Sequence, residues 1–214
     1  MRSLGIDVGV RKGLDAVVLD DRRVPLQAQR GMQVNELPAL IKETAPHVIA
    51  IDSPPAWARS GGSRETERQI RAAGILCFGT PTEDRGMRNR FYDWMVVGFR
   101  AFGIAEACGY SRYRTGSADG TAIEVFPHAS AVTLAGRLGP TRRARLHWRR
   151  DVLTNEGVDA DRLVGPDQVD AALAALTGLF ALDGSFYAPG DPEEGVIVVP
   201  VRALVSPRYV REVS

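Results

Sequence analysis

The stretch 165-GPDQVDAALAALTGLFAL-182 decides the fold prediction. From Val169 onward it predicts a helix that is apolar on nearly every side, and such a helix is buried. It nevertheless begins with two carboxylates, Asp167 and Asp170, which are three residues apart and therefore share a helix face. The helix macrodipole can account for Asp167 near the N-terminus. A carboxylate further into the buried part of the helix, as at Asp170, needs a partner.

Two more acids stand at the ends of apolar segments that predict buried strands. Asp7 ends "LGID" and Asp52 ends "VIAID". If these strands are parallel neighbours, the two carboxylates lie side by side at the carboxyl edge of the sheet, where open α/β sheets bind ligands. Two negative charges in a partly dry site require a cation or a proton. Hard oxygen ligands clustered in this way suit Mg²⁺ or Mn²⁺.

The remaining pattern predicts an α/β fold. Three short strands with tight connections predict an antiparallel meander, and a helix followed by a buried strand predicts a right-handed crossover to a parallel neighbour. With later strands, this gives a mixed sheet of about five strands with helices on both faces. The strand segments are "SLGIDVG", "GLDAVVLD", "VPLQAQRGM", "HVIAID", "TAIEVFP" and "EGVIVVP". We expect a single domain over residues 1–214, with a largely helical insertion at about 56–120.

Composition limits the classes of function. The 214 residues are 44% hydrophobic and 25% charged, which is enough to form a folded core. The formal net charge of +1 argues against a large uniform basic surface for duplex nucleic acid, although a local basic groove remains possible. The N-terminal segment has no apolar signal core, and no apolar run is long enough for a bilayer. We therefore expect a cytoplasmic protein without a membrane partner, of undetermined oligomeric state.

The order of these parts resembles the ribonuclease-H fold: a meander whose first strand carries an Asp, a crossover helix, a parallel strand with a second acid, and a late helix containing D-x-x-D-A. The whole chain more closely resembles the family called domain of unknown function 429, whose members are predicted nucleases of this fold. The matching pieces are "GIDVG", "IAIDSPPAW", "SRETERQIRAAG", "IEVFPHAS", "DQVDAALAAL" and "EEGVIVVP".

The resemblance implies an acidic centre and a metal cofactor. Asp7, Asp52 and Asp170 would be catalytic and would bind Mg²⁺ or Mn²⁺, with Asp167 adjacent. Glu124 is a further catalytic candidate, although a Glu on a short strand is equally consistent with a solvated edge position. Pairs of such ions are used for phosphodiester cleavage.

Basic side chains supply candidates for substrate contact. Arg64 and Arg68 belong to a basic helix face soon after Asp52, and we predict that Arg64, Arg68 and Ser53 bind substrate. A second basic cluster is expected to be a solvated helix face. It contains Arg142, Arg143, Arg145, Arg149 and Arg150. Asp15 is expected to face solvent or a turn, and His128 is weighed as a proton carrier against an ordinary hydrogen-bonded residue.

Three functions remain open from the sequence. The leading hypothesis is a metal-dependent nuclease acting on nucleic acid. The second is a non-catalytic protein of the same fold that binds a nucleotide or nucleic acid, which the near-neutral charge favours slightly. The third is a small-molecule phosphohydrolase. Metal titration separates the enzymes from the binding protein, because only the enzymes require divalent ions bound by the acids.

Overall fold

The protein is represented by a computed structural model that describes residues 1–141, 144–205 and 208–211. Within these residues the chain forms eight β-strands and seven α-helices. The strands are β1 (Arg2–Val8), β2 (Leu14–Asp20), β3 (Pro25–Met32), β4 (Val48–Asp52), β5 (Ser111–Arg112), β6 (Thr121–Val125), β7 (Gly190–Asp191) and β8 (Gly195–Val198). The helices are α1 (Leu37–Thr44), α2 (Glu65–Ala72), α3 (Glu83–Met87), α4 (Asp93–Ala107), α5 (Pro127–Ala135), α6 (Arg145–Asn155) and α7 (Gly165–Leu182).

All eight strands join one mixed sheet in the order β3-β2-β1-β4-β6-β8-β7, and β5 pairs with β6. Strands β1 to β3 form the antiparallel meander, and β4, β6 and β8 continue the sheet in parallel from β1. The ribonuclease-H-like arrangement predicted from the sequence is therefore confirmed. The prediction of about five strands was too low, because β5 and β7 have two residues each and produce no periodicity.

Helices cover both faces of the sheet, as predicted. On one face α7 lies against β1, β2 and β4, and α5 and α6 pack onto α7. On the other face α1 and α4 cover Leu4, Ile6 and Ile51. Helix α5, which begins at Pro127 directly after β6, was not predicted from the sequence. Part of the expected basic helix, at Arg142 and Arg143, lies outside the described residues.

The segment predicted as a helical insertion contains α2, α3, α4 and the short strand β5. Of these, α4 packs on the sheet through Ala101 and Phe102. The single-domain organisation of residues 1–214 stays a prediction. Within the described ranges, none of the helices combines the length and hydropathy needed to cross a membrane.

Helix α7 approaches the sheet so closely that its backbone touches β1. A Cβ atom added at Gly5 would lie 2.0 Å from the carbonyl oxygen of Ala171 and 2.3 Å from the backbone nitrogen of Ala175. Gly178 of the helix lies equally close to Ser3, whose Oγ would be 2.1 Å from an added Cβ. Because Gly5 and Gly178 have no side chains at these points, the helix is held at a fixed depth and rotation over the sheet.

We expect Gly5→Ala to destabilise the protein by roughly 3 kcal/mol, because the backbone of a core helix must move to admit one methyl group. Urea denaturation at fixed pH measures the loss. Gly103→Ala is the matched control: Gly103 lies in α4 with no atom near an added Cβ, so this change should stabilise by about 0.5–1 kcal/mol. Equal stability of the Gly5→Ala and parent proteins would contradict the close packing of α7.

Candidate functional site

Strand pairing brings two of the predicted acids together. Asp7 of β1 lies directly beside Asp52 of β4 in the parallel register, so both side chains leave the same face at the carboxyl edge of the sheet. That face is the one covered by α7, since Gly5, two residues before Asp7, touches this helix. Asp170, near the start of α7, is close enough to raise the pKa of both Asp7 and Asp52 by its charge.

The three carboxyls have raised pKa values. Burial is the main cause at Asp7, and the negative charges of Asp170, Asp167 and Asp15 add to it, so that its pKa is raised to about 8. Burial, followed by the charges of Asp7 and Asp170, raises the pKa of Asp52 well above its ordinary value. Burial also raises the pKa of Asp170, although Arg149 opposes the shift.

The charge of Arg149 opposes the raised pKa values of Asp7 and Asp52 but pairs with neither carboxylate. In the described part of the chain, neither carboxylate accepts a hydrogen bond or forms an ion pair. Both residues are half-buried, so the pair is reachable from solvent. Two adjacent carboxylates under these conditions hold a proton at neutral pH or attract a cation.

The other two acids are already paired. Arg149 of α6 donates from Nη1 to both carboxylate oxygens of Asp170, and the side chains of this pair are only 12% and 18% exposed. Lys12 donates to Asp167 at 2.9 Å, and this contact raises the pKa of the Lys12 ammonium. The expectation that the second basic cluster is a solvated helix face was therefore wrong for Arg149, because α6 packs on α7 and presents this guanidinium to Asp170.

Asp15 also departs from the sequence expectation. It lies opposite Asp7 in the antiparallel register of β1 and β2, and it is 4% exposed rather than directed toward solvent or a turn. Its Oδ1 accepts a hydrogen bond from the backbone nitrogen of Gly31 at 3.0 Å, and Arg30 lies 3.8 Å from Oδ2. A third strand-borne carboxylate thus adds to the negative field at Asp7.

Glu124 is separated from the acidic centre by the sheet. In the register of β4 and β6 it lies beside Ile51, so its side chain leaves the face opposite to Asp52. There Arg64 donates to both of its oxygens, at 2.7 and 2.5 Å, and also to Glu67 at 2.9 Å. Glu67 accepts further hydrogen bonds from Thr80. Glu124 therefore belongs to a buried ion network that joins α2 to β6, and we do not retain it as a member of the acidic centre.

The three predicted substrate contacts all have partners within the protein, although Arg64 and Ser53 also line the cavity described below. Arg64 is 1% exposed and held between two carboxylates, so it is not available to a phosphate. Ser53 is 1% exposed, touches Gly98 of α4, and donates to the carbonyl of Pro54. Arg68 is exposed but pairs with Glu65 on the outer side of α2. Sequence spacing identified a basic helix face but not which of its members fold inward.

A cavity of about 330 Å³ opens along the same sheet edge. We call it the edge cavity and define it by the residues that carry its chemistry, which are Asp52, Phe78, Phe91, Trp94, Glu124 and Phe126. The ends of β4 and β6 form one wall, and the segment from α2 to α4 forms the other. Asp52 therefore belongs both to the acidic centre and to this cavity.

The acidic centre fits a hard divalent cation by its chemistry. Asp7 and Asp52 offer adjacent oxygen ligands whose pKa values stay raised despite the charge of Arg149, and Asp170 offers a third. Across residues 1–141, 144–205 and 208–211, however, no three His, Cys, Asp or Glu side chains stand ready as a metal site. The pairing of Asp170 with Arg149 explains why: a cation would have to replace this guanidinium to use Asp170 as a ligand.

His128 lies close to Arg149. Burial, followed by the positive charges of Arg149 and Arg145, lowers the pKa of its imidazole to about 4. Its Nδ1 is buried without a hydrogen-bond partner among the described residues. The imidazole is therefore neutral at pH 7, and the structure does not place it in an ordinary hydrogen bond through this nitrogen.

Comparison with known proteins assigns the chain to a family and finds two similar solved structures. The model of the family described as "Protein of unknown function (DUF429)" matches residues 5–194, so the chain belongs to this family. No curated protein matches the sequence. One similar solved structure is that of Thermus thermophilus RuvC, with 13% sequence identity to this chain and a TM-score of 0.49. The alignment covers 86% of this chain and 98% of the RuvC chain. RuvC from T. thermophilus in complex with a Holliday junction substrate is 15% identical with a TM-score of 0.48, over 86% and 96% of the two chains.

We expect the metal-free protein to lose stability as pH rises from about 6.5 to 8. Asp7 binds a proton in the folded state up to about pH 8 but releases it near pH 4 when unfolded, so the folded state binds more protons in this window. One such group gives a slope of about 1.4 kcal/mol per pH unit. His128 acts in the opposite direction below pH 6.5, which is why the window starts there.

Urea denaturation in chelator across this window tests the expectation. Asp7→Asn should flatten the slope, because the amide does not titrate. Asp119→Asn, at an exposed position remote from the acidic centre in the sheet, should leave it unchanged. A slope that is the same in Asp7→Asn as in the parent protein would show that Asp7 is ionised at neutral pH.

Proposed function

We propose that this member of the DUF429 family is a divalent-metal-dependent nuclease, a hydrolase of phosphodiester bonds. The observation that supports this most is the pair Asp7 and Asp52, two adjacent carboxylates with raised pKa values and no basic partner among the described residues. They lie at the carboxyl edge of the sheet, half-exposed, where a ligand can reach them. A protein that needed these acids only for folding would be expected to pair them.

Asp7, Asp52 and Asp170 would hold the metal, with Asp167 next to them. When bound, Mg²⁺ or Mn²⁺ would activate water and stabilise the leaving oxygen of a phosphodiester. Lys12 and Arg149 pair with acids of this centre, and a metal ion that took their place would free their charges for the phosphate. Arg149 suits this role because its planar guanidinium can bind two phosphate oxygens at once, while Lys12 is exposed and can follow the substrate as a point charge.

The substrate we propose is nucleic acid or a nucleotide, contacted over a short length. A formal net charge of +1 gives no extended basic surface, so contact with phosphates is confined to the few cations around the acidic centre. We include in the proposal that the protein is cytoplasmic and consists of a single domain.

One observation favours a second candidate, a non-catalytic nucleotide- or nucleic-acid-binding protein. Asp170 and Asp167 have cationic partners, and a ready-made three-ligand metal site is absent from the described residues. In such a protein a proton on Asp7 or Asp52 would replace the metal permanently. Metal titration distinguishes the two candidates, because only the nuclease requires a divalent ion at these acids.

We expect the purified protein to hydrolyse a phosphodiester substrate in Mn²⁺ or Mg²⁺ and to be inactive in chelator. Ca²⁺ should not support turnover, because its longer and looser coordination does not hold the attacking water in line. Asp7→Asn should lower the rate at least a hundredfold, since it removes one ligand charge with little change in volume. The measurement uses labelled single strands, duplexes, RNA–DNA hybrids and branched junctions, with free nucleotides included to detect a small-molecule phosphohydrolase.

Asp119→Asn from a parallel preparation is the control, because it removes one exposed carboxylate away from the centre. It should retain the parent rate. Activity that persists undiminished in Asp7→Asn would come from a contaminant or another site, and the binding protein would then become the better candidate.

We expect Arg149→Gln to destabilise the metal-free protein by about 3 kcal/mol, because it leaves Asp170 half-buried and uncompensated beside Asp7. Mn²⁺ should then stabilise this variant more than it stabilises the parent, since the ion replaces the lost charge. Melting temperatures over a Mn²⁺ titration measure both effects.

Arg150→Gln is the matched control on the same helix. The Arg150 guanidinium donates to the carbonyls of Ala160 and Leu163 and, among the described residues, to no carboxylate, so its loss should lower stability without changing the response to Mn²⁺. Identical Mn²⁺ responses in the two variants would show that the ion does not bind at Asp170.

A further inference from the structure

The edge cavity has a composition that folding alone does not explain. Phe78 and Phe91 stand at its mouth with 65% and 50% of their surfaces exposed, and their ring centroids are 5.5 Å apart at an interplanar angle of 65°. Trp94 and Phe126 line the same space. Exposed aromatic rings grouped around a cavity indicate a ligand site rather than a folding core.

The cavity also has a polar side. Asp52 and Glu124 line the cavity from the ends of adjacent strands, with side chains that leave opposite faces of the sheet, while the rings come mainly from the opposite wall. Both oxygens of Glu124 accept from Arg64, but a carboxylate oxygen can accept more than one hydrogen bond. A ligand that fits must therefore have flat apolar faces and carry N–H donors on its edge.

The size and position of the edge cavity narrow the choice of ligand further. A volume of about 330 Å³ is at the small end of ligand sites, which suits one heterocycle with its sugar and not a helix or a lipid chain together with its headgroup. Because Asp52 borders both spaces, a ligand in the cavity places its attached phosphate toward the acidic centre. A nucleobase meets each of these conditions.

We infer that the edge cavity is the subsite for one unpaired nucleobase of the substrate, stacked against Phe78, Phe91 and Trp94. This inference rests on the proposed function and narrows it, because a base inside the cavity cannot remain in a continuous duplex. Single strands and nucleotides adjoining an unpaired position become the preferred substrates. A duplex fills the cavity only where a base leaves the stack, at the cost of unpairing it, so an intact duplex binds without the cavity.

Equilibrium binding separates this subsite from the chemistry. Fluorescence anisotropy of a labelled 12-nucleotide single strand and of the same sequence as a duplex, both in Ca²⁺, reports affinity without turnover. The parent protein should bind the single strand more tightly. Phe78→Ala and Phe91→Ala should each weaken single-strand binding by about 5-fold or more, the effect of losing one stacking partner, and leave duplex binding unchanged.

Leu76→Ala is the matched control for these two variants. Leu76 is 84% exposed, lies two residues before Phe78, and does not line the cavity, so its truncation removes a similar exposed side chain and should alter neither affinity. Since Phe78 and Phe91 are largely exposed, all three variants should keep the parent melting temperature, which is measured alongside.

A nucleoside without phosphate tests the cavity independently of any metal. Adenosine added in chelator should change tryptophan emission in the parent protein and not in Trp94→Phe.

Unchanged single-strand affinity in Phe78→Ala and Phe91→Ala would overturn the proposed subsite. So would a change in Trp94 emission on adding a fatty acid but not on adding adenosine. If the aromatic variants behave as expected but no substrate is cleaved, the result supports the nucleobase subsite and contradicts the proposed nuclease activity. If single strands and duplexes are cleaved equally and Phe78→Ala is unaffected, the result supports the nuclease activity and contradicts the nucleobase subsite.

Discussion

The close approach of helix α7 to strand β1 is the constraint on which the site depends. Gly5 and Gly178 remove the side chains that would separate the two elements, and the alanines of α7 fill the remaining contact. The helix is thereby fixed in depth and rotation, so the position of Asp170 relative to Asp7 is set by backbone contacts rather than by flexible side chains. An acidic centre assembled in this way does not need a metal ion to bring its carboxylates together. Their proximity nevertheless causes electrostatic repulsion.

The two faces of the sheet differ in whether their buried carboxylates have hydrogen-bonded cationic partners. On one face Arg64 joins Glu67 and Glu124 in a hydrogen-bonded network that lowers the pKa of Glu67, mainly through Arg64 and Thr80 acting against its burial. This network fixes α2 to β6 and so gives the edge cavity a rigid base. On the other face Asp7 and Asp52 have no such partner among the described residues. The contrast supports the proposed role of the second arrangement in ligand binding, since the carboxylates on the first face are hydrogen-bonded to a guanidinium, although burial still raises the pKa of Glu124.

The sequence was sufficient for the features that depend on local pattern. The meander, the crossover to β4 and the long apolar helix follow from periodicity, and the positions of Asp7 and Asp52 follow from their places at strand ends. It was insufficient for features that depend on distant pairing. Arg149 meets a carboxylate 21 residues away and Arg64 meets one 60 residues away. Neither contact can be predicted from residue spacing. The face of the sheet from which the Glu124 side chain leaves depends on the register between β4 and β6, which only the folded sheet shows.

Protons, the guanidinium of Arg149 and a divalent cation are three alternative means of relieving the same repulsion. Each one reduces the need for the others: a proton shared by Asp7 and Asp52 must leave before both can act as ligands, and Arg149 must leave Asp170 before a cation can use it. Under the proposed function, metal binding at this centre would therefore be coupled to proton release and to the release of a cationic side chain. The freed guanidinium would lie beside the acids that hold the ion, where it could bind an anionic substrate. The ion pair of Arg149 with Asp170 would then keep this guanidinium near the position that the proposal gives to a phosphate.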